Sequence, residues 1–355
     1  MNDLRTGLSY GDVLLVPQRS PVDSRGDVDL STHLTPDIEL DRPLLSAPMD
    51  TVTEAGTAIA LGEAGGFGTI HRFLAPDEQA REVRRVAGAG QPVGAAVGIR
   101  DGFLDRARAA VDAGADALMV DVAHGHLERC LEAVERLRAD LPDAELIVGN
   151  VATPRGVRDL YSAGADCVKV GVGPGSHCTT RKVAGAGVPQ LTAVDDCADA
   201  AADLGNTTIA DGGIRSSGDA VKALVAGADT VMMGRLFAGT DESPGEVVEV
   251  DGERFKRSRG MATTAANEDR TDREEAVEAD EGVEALTPYT GSIADVADEF
   301  AAGIRSGLSY CGGHTIAAAR DRAEFMQVAP SARDREGAHF DHDWENVDID
   351  AVGGD

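Results

Sequence analysis

The sequence repeats one short phrase three times: Asp112-Ala-Gly-Ala-Asp116, Ser162-Ala-Gly-Ala-Asp166 and Val225-Ala-Gly-Ala-Asp229. Each copy ends a helical pattern and is followed by an apolar run: Ala117–Val122, Cys167–Val172 and Thr230–Gly234. A glycine there supplies a left-handed helix cap, and the run that follows reads as a buried strand. The rhythm extends in both directions. It gives eight candidate strands: Leu44–Ala47, Gly66–Ile70, Val93–Val97, Ala117–Asp121, Leu146–Asn150, Cys167–Gly171, Thr208–Asp211 and Thr230–Gly234. Amphipathic stretches such as Phe103–Ala113, Leu127–Arg138 and Ser217–Ala226 lie between them. Eight strand–helix alternations predict an α/β fold of the (β/α)8 TIM-barrel type. A doubly wound sheet is the alternative, weakened because no GxGxxG follows the first strand.

Two segments fall outside the rhythm. Val247–Arg257 reads as a hairpin turning at Asp251-Gly252, and the charged stretch Asn267–Glu284 follows it. Together they predict a mobile flap after strand 8, at about residues 247–290. The acidic residues 331–355 read as a disordered tail, which leaves residues 1–330 as a single catalytic domain.

Net charge is −29, from 62 acidic and 33 basic residues, and only Lys169, Lys182, Lys222 and Lys256 are lysines. That field opposes nucleic-acid binding, which needs a basic footprint. An acidic, lysine-poor surface suits very high salt, so a halophilic host is expected. Without an 18-residue apolar run or an apolar leader, neither a membrane span nor a secretory signal is predicted. Five widely spaced cysteines fit a reduced, cytoplasmic chain.

A barrel puts its chemistry at the C-terminal strand ends. Here those ends carry Ser46-Ala-Pro-Met-Asp50, Asp121, Asn150, Gly171–Cys178, Asp211-Gly-Gly213 and Gly234-Arg-Leu236. The segment Lys169–Arg181 is the sharpest. Its glycines let backbone amides converge on an anion, and Ser176 adds a hydroxyl. Cys178 falls before a predicted helix, where a thiolate is favoured. A structural cysteine in a glycine-rich turn is the bland alternative. Loops after strands 7 and 8 often hold phosphate, which points to Ala210–Arg215 paired with Met233–Arg235, while Asp211 can accept two ribose hydroxyls. Barrel-closing turns are the bland reading of those glycines. His124 and His126 have metal-like spacing but need a third ligand that the sequence does not identify.

Taken together, Ser9–Pro17, Ser46–Val52, Gly149–Val151, Gly171–Arg181, Asp211–Gly213 and Arg259–Met261 resemble the inosine 5′-monophosphate dehydrogenase and guanosine 5′-monophosphate reductase family over residues 8–328. The resemblance implies a purine-nucleotide oxidoreductase, usually a homotetramer or octamer, with Cys178 as the nucleophile towards C2 of the purine. It places Ser176, Gly213, Gly234 and Arg235 at the phosphate, Asp211 at the ribose and Met261 beside the base. Asp121, Ala123, Asn150 and Gly171 fall on the nicotinamide cofactor side. The carbonyls of Gly173, Gly175 and Cys178 are the expected seat of a monovalent cation, K+. Relatives usually carry tyrosine before Arg-Gly-Met, where this chain has Ser258.

The resemblance also separates two activities. Dehydrogenases activate water with an Arg-Tyr pair on the flap, and the matching place here is Asp269-Arg270-Thr271, without the phenol. Most of them also insert a pair of regulatory domains between the helix after strand 2 and strand 3. Only a few residues separate Ala87 from Val93 here. Asp121-Val-Ala-His-Gly125 follows the reductase pattern. The expectation is therefore an NADPH-dependent GMP reductase converting GMP to IMP and ammonia, with Thr180 and Glu281 as the acid–base pair. A compact IMP dehydrogenase using NAD, an FMN-dependent barrel oxidoreductase and a non-catalytic nucleotide sensor are the alternatives.

Overall fold

The computed structural model describes residues 4–176, 178–261, 263 and 282–332. Eight parallel strands close into a barrel: β1 (Leu44–Ser46), β2 (Phe67–Ile70), β3 (Val93–Val97), β4 (Ala117–Asp121), β5 (Glu145–Val151), β6 (Cys167–Val170), β7 (Thr207–Asp211) and β8 (Thr230–Met233). They pair in chain order, and β8 returns to β1 through Val231↔Leu44, Met232↔Leu45 and Met233↔Ser46. Helices α1 (Ala55–Glu63), α2 (Pro76–Gly88), α3 (Phe103–Asp112), α4 (Glu128–Asp140), α5 (Pro154–Ala163), α6 (Gln190–Ala202), α7 (Ser217–Val225) and α8 (Ile293–Tyr310) follow successive strands. The chain is a (β/α)8 barrel, and every predicted barrel strand matches its position to within one residue.

The threefold phrase has a structural explanation. Gly114, Gly164 and Gly227 all take left-handed φ, at 98°, 111° and 120°, and end their helices. The aspartate two residues later then ties the new strand to its neighbour. Asp116 Oδ2 accepts from Val93 N at 2.8 Å, Asp166 Oδ2 from Leu146 N at 2.7 Å, and Asp229 Oδ2 from Thr208 N at 2.8 Å. The backbone N–H of each aspartate donates back to the carbonyl of the same residue. An N–H at the start of each strand is thereby satisfied at the closed end of the barrel.

Side chains alternate between two layers, as a barrel demands. Leu45, Phe67, Met119, Ile147, Cys167, Ile209 and Met232 point inward and pack on Leu34 and Leu40. The latter pair comes from an antiparallel hairpin, Thr32–Thr35 with Ile38–Leu40, which plugs the bottom. Neither this plug nor the pairing of Val13–Leu15 with Phe325–Gln327 is foreshadowed in the sequence. Both use strands of three or four residues, too short for a periodic signal.

After β8, strands β9 (Val247–Val250) and β10 (Glu253–Arg259) form the predicted hairpin. Asp251 and Gly252 turn at φ 53° and 85°. A third strand, β11 (Glu284–Pro288), pairs antiparallel with β10. Most of the charged stretch Asn267–Glu284, and the tail beyond residue 332, lie outside the described residues.

Candidate active site

The upper end of the barrel opens into a cavity of about 1030 Å3. Its floor follows from the strand period of two. Two residues above the apolar plug layer, Asp121 follows Met119, Lys169 follows Cys167 and Asp211 follows Ile209, so all three face inward. Lys169 is 2% exposed, with Nζ 2.9 Å from Asp121 Oδ1 and 2.6 Å from Asp211 Oδ2. It also donates to Asn150 Oδ1. Burial alone would push this ammonium towards the neutral form. The charges of Asp121 and Asp211 outweigh that and hold its pKa above the ordinary lysine value. Gly149 makes room for it: a Cβ there would sit 2.6 Å from Lys169 Cβ.

Asn150 completes the floor, donating Nδ2 to Gly171 O at 2.7 Å and to Asp211 Oδ2 at 2.8 Å. Gly171 cannot carry a side chain, since a Cβ would approach Asp211 O to 2.2 Å. Gln190 Nε2 bridges the same two strand ends, donating to Val170 O and Asp211 O. The two carboxylates and the amide are thus held rigidly.

The loop from Gly171 to Thr180 rises from β6 over this floor. Cys178 N donates to Gly175 O at 3.1 Å, which folds the loop so that the cysteine lines the cavity. Its Sγ lies 3.1 Å from Thr180 Oγ1. Cys178 is the half-exposed cysteine of the five, and Cys130, Cys167, Cys197 and Cys311 are buried. Burial pushes the Cys130 and Cys197 thiols up to about 11 and about 12, which leaves them inert at neutral pH. The helix expected after Cys178 is a single turn, Thr180–Val183. Cys178 also bridges Gly282, at the start of the last described segment. Glu281, the expected acid–base partner, lies outside the described residues.

The remaining predicted residues line the same cavity: Ala123, Gly173, Gly175, Ser176, Gly213, Gly234, Arg235 and Met261. Gly212 and Gly213 take φ 84° and 78°, a left-handed backbone at the end of β7 that favours glycine. Met261 is fixed by Asp50 N, which donates to its Sδ at 3.4 Å. Arg259 grips the Asp50 carboxylate through Nε at 2.9 Å and Nη2 at 2.5 Å, pinning the flap base to the end of β1. Lys169 and the Asp50–Arg259 pair are parts of the site that sequence reasoning left without a role. A lone lysine inside the apolar strand Cys-Val-Lys-Val was the available signal. His126 Nε2 lies 2.8 Å from Asp159 Oδ2. Among the described residues no cluster of three His, Cys, Asp or Glu side chains could hold a metal ion.

A thiol and a hydroxyl thus stand beside a fixed carboxylate pair, at the mouth of a (β/α)8 barrel with glycine loops after β7 and β8. The IMP dehydrogenase / GMP reductase domain model matches residues 7–339, and the chain belongs to that family of nicotinamide-dependent oxidoreductases. Inosine-5′-monophosphate dehydrogenase from Nitrosopumilus maritimus is 38% identical, over 92% of this chain and 97% of that protein. GMP reductase from Leishmania major is 34% identical, over 95% of this chain and 97% of the relative. Among solved structures, a cysteine-to-alanine variant of Trypanosoma brucei GMP reductase in complex with guanosine 5′-monophosphate superposes with a TM-score of 0.91. It is 31% identical and covers 95% of this chain and 98% of that one.

Proposed function

We propose that the protein is a GMP reductase, which converts GMP to IMP and ammonia with NADPH. The observation that carries the reading is the contact between Cys178 Sγ and Thr180 Oγ1, over a floor whose carboxylates are already fixed. Cys178 thiolate adds to C2 of GMP. Thr180 passes a proton to the departing amino group, which leaves as ammonia and gives a thioimidate on Cys178. Hydride arriving at C2 then lets the C–S bond break, releasing IMP and regenerating the thiolate. The cofactor supplies that hydride when bound. The cavity lining beside Asp121 fits such a group: Arg72 and Arg100 line it with Phe103 and give positive charge for an anionic dinucleotide. Ser176, Gly213, Gly234 and Arg235 hold the 5′-phosphate, Asp211 the ribose and Met261 the base. Asp121, Ala123, Asn150 and Gly171 border the nicotinamide. A potassium ion among the carbonyls of Gly173, Gly175 and Cys178 and a proton role for Glu281 belong to the same reading.

The missing flap tyrosine at Asp269-Arg270-Thr271 supports reduction over hydrolysis, since water activation needs that partner. The short link from α2 to β3 carries less weight. The alignments to the N. maritimus dehydrogenase and to the L. major reductase both run more than 100 positions beyond this chain's length. The 38% identity to the dehydrogenase favours the second reading, oxidation of IMP to XMP with NAD. Absorbance at 340 nm decides between them. NADPH loss on adding GMP supports reduction, whereas NADH formation from IMP and NAD, with no turnover of GMP, would falsify it.

A further inference from the structure

Asp121 ends β4 and Asp211 ends β7, with β5 and β6 between them, so no strand ladder joins the two carboxylates. Lys169 of β6 is the side chain that touches both, through Asp121 Oδ1 and Asp211 Oδ2. Its third partner is Asn150 Oδ1 of β5. An ammonium carries three N–H donors, and here each has an acceptor inside the protein. Lys169 therefore acts on a bound molecule through the groups it holds. Asp211 shows the effect. Its Oδ2 accepts from Lys169 Nζ at 2.6 Å and from Asn150 Nδ2 at 2.8 Å, while Oδ1 accepts from no described residue. Clamping one oxygen from two sides stops the carboxylate turning and leaves the other for the cavity that Asp211 lines. Asp121 is gripped by the same ammonium and lines the same cavity.

Desolvating three charges is an inefficient way to build stability, because apolar side chains of the same volume do as well. What this cluster provides is position. Without the ammonium, two uncompensated negative charges would lie under an anionic nucleotide and an anionic cofactor. We propose that Lys169 is a positioning residue for both ligands: its one ammonium fixes the carboxylate that meets the nucleotide's ribose hydroxyls and the carboxylate on the cofactor side, and so ties the two subsites together. The inference rests on the nucleotide reading of the site.

Calorimetric titration of the full chain tests it, with wild type, Lys169→Met and Lys169→Arg. The probes are GMP, 2′,3′-dideoxyguanosine 5′-monophosphate, which lacks both ribose hydroxyls, and NADP+ added to the GMP complex. Wild type is expected to bind GMP about tenfold or more tighter than the dideoxy nucleotide. In Lys169→Met that preference should shrink to less than about threefold, and NADP+ should bind about tenfold or more weakly than to wild type. Lys169→Arg restores the charge but not the three-way geometry, and should fall between the two in both readouts. A merely structural role would weaken both nucleotides alike and leave the preference unchanged. That result overturns the proposal, as does an NADP+ affinity unchanged in Lys169→Met. Should Lys169→Met fail to fold, a Lys169→Arg protein with the wild-type nucleotide preference overturns it equally. If GMP and the dideoxy nucleotide bind wild type equally, the link through Asp211 fails and the nucleotide reading stands. If neither GMP nor IMP binds, the nucleotide reading fails and this inference goes with it.

Discussion

Replacing Lys169 by methionine isolates the floor of the site. The side chains are of similar length, so the change removes a charge and leaves the packing against Gly149 nearly intact. Asp121 Oδ1 and Asp211 Oδ2 both lie within 2.9 Å of Nζ, so the two carboxylate oxygens are less than about 6 Å apart. Their repulsion, hidden by the ammonium, is then worth about 3 kcal/mol at an effective dielectric of about 20. The side chains keep 25% and 20% exposure, so water screens part of it, and a loss of about 2–4 kcal/mol is expected at pH 8. The sign of the pH dependence follows. In the wild type the folded ammonium pKa is raised, so its contribution is complete below the unfolded value of about 10.4 and is lost only as pH rises through the folded one. From pH 5 to 8 it is therefore constant. In Lys169→Met nothing offsets the repulsion between the two carboxylates and uptake of a proton relieves it, so the penalty fades on acidification and grows with pH. Urea unfolding should show a deficit about 1–2 kcal/mol larger at pH 8 than at pH 5. Lys169→Arg keeps the charge and should show a flat deficit. A Lys169→Met protein as stable as wild type at pH 8, or one whose deficit does not change with pH, would refute the reasoning.

Other expectations follow from the same geometry. Cys178→Ala should lower kcat by about 10⁴-fold or more in the 340 nm assay, while nucleotide affinity by calorimetry stays within a few-fold. Thr180→Val keeps the shape but removes the hydroxyl 3.1 Å from Sγ, and should cost about 10²-fold in kcat with little change in the KM for nucleotide. Asp116→Ala strands the Val93 N–H and should cost about 1–3 kcal/mol in urea unfolding without altering activity per folded molecule. Replacing KCl by tetramethylammonium chloride at equal ionic strength should lower the rate at least about tenfold, and unchanged turnover would remove the cation from the account.

What was legible in the sequence, and what was not, divides along one physical line. The barrel could be read because its determinants are local. A glycine cap, an aspartate two residues later and an apolar run recur within ten residues, and each part satisfies a backbone group nearby. Cys178, Asp211 and the loop glycines were found for the same reason, since their chemistry shows in short stretches at strand ends. Lys169 was passed over because its meaning lies in Asp121 and Asp211, 48 and 42 positions away, which only closure of the sheet brings to it. Arg259 likewise acquires its role from Asp50, 209 positions distant. Both cases have the same form: a cation whose role is set by carboxylates from distant parts of the chain, two of them around Lys169 and one at Arg259. Pairing of that kind is long-range, so no short stretch of sequence carries it, and only the closed barrel shows that Lys169 and Arg259 build the site.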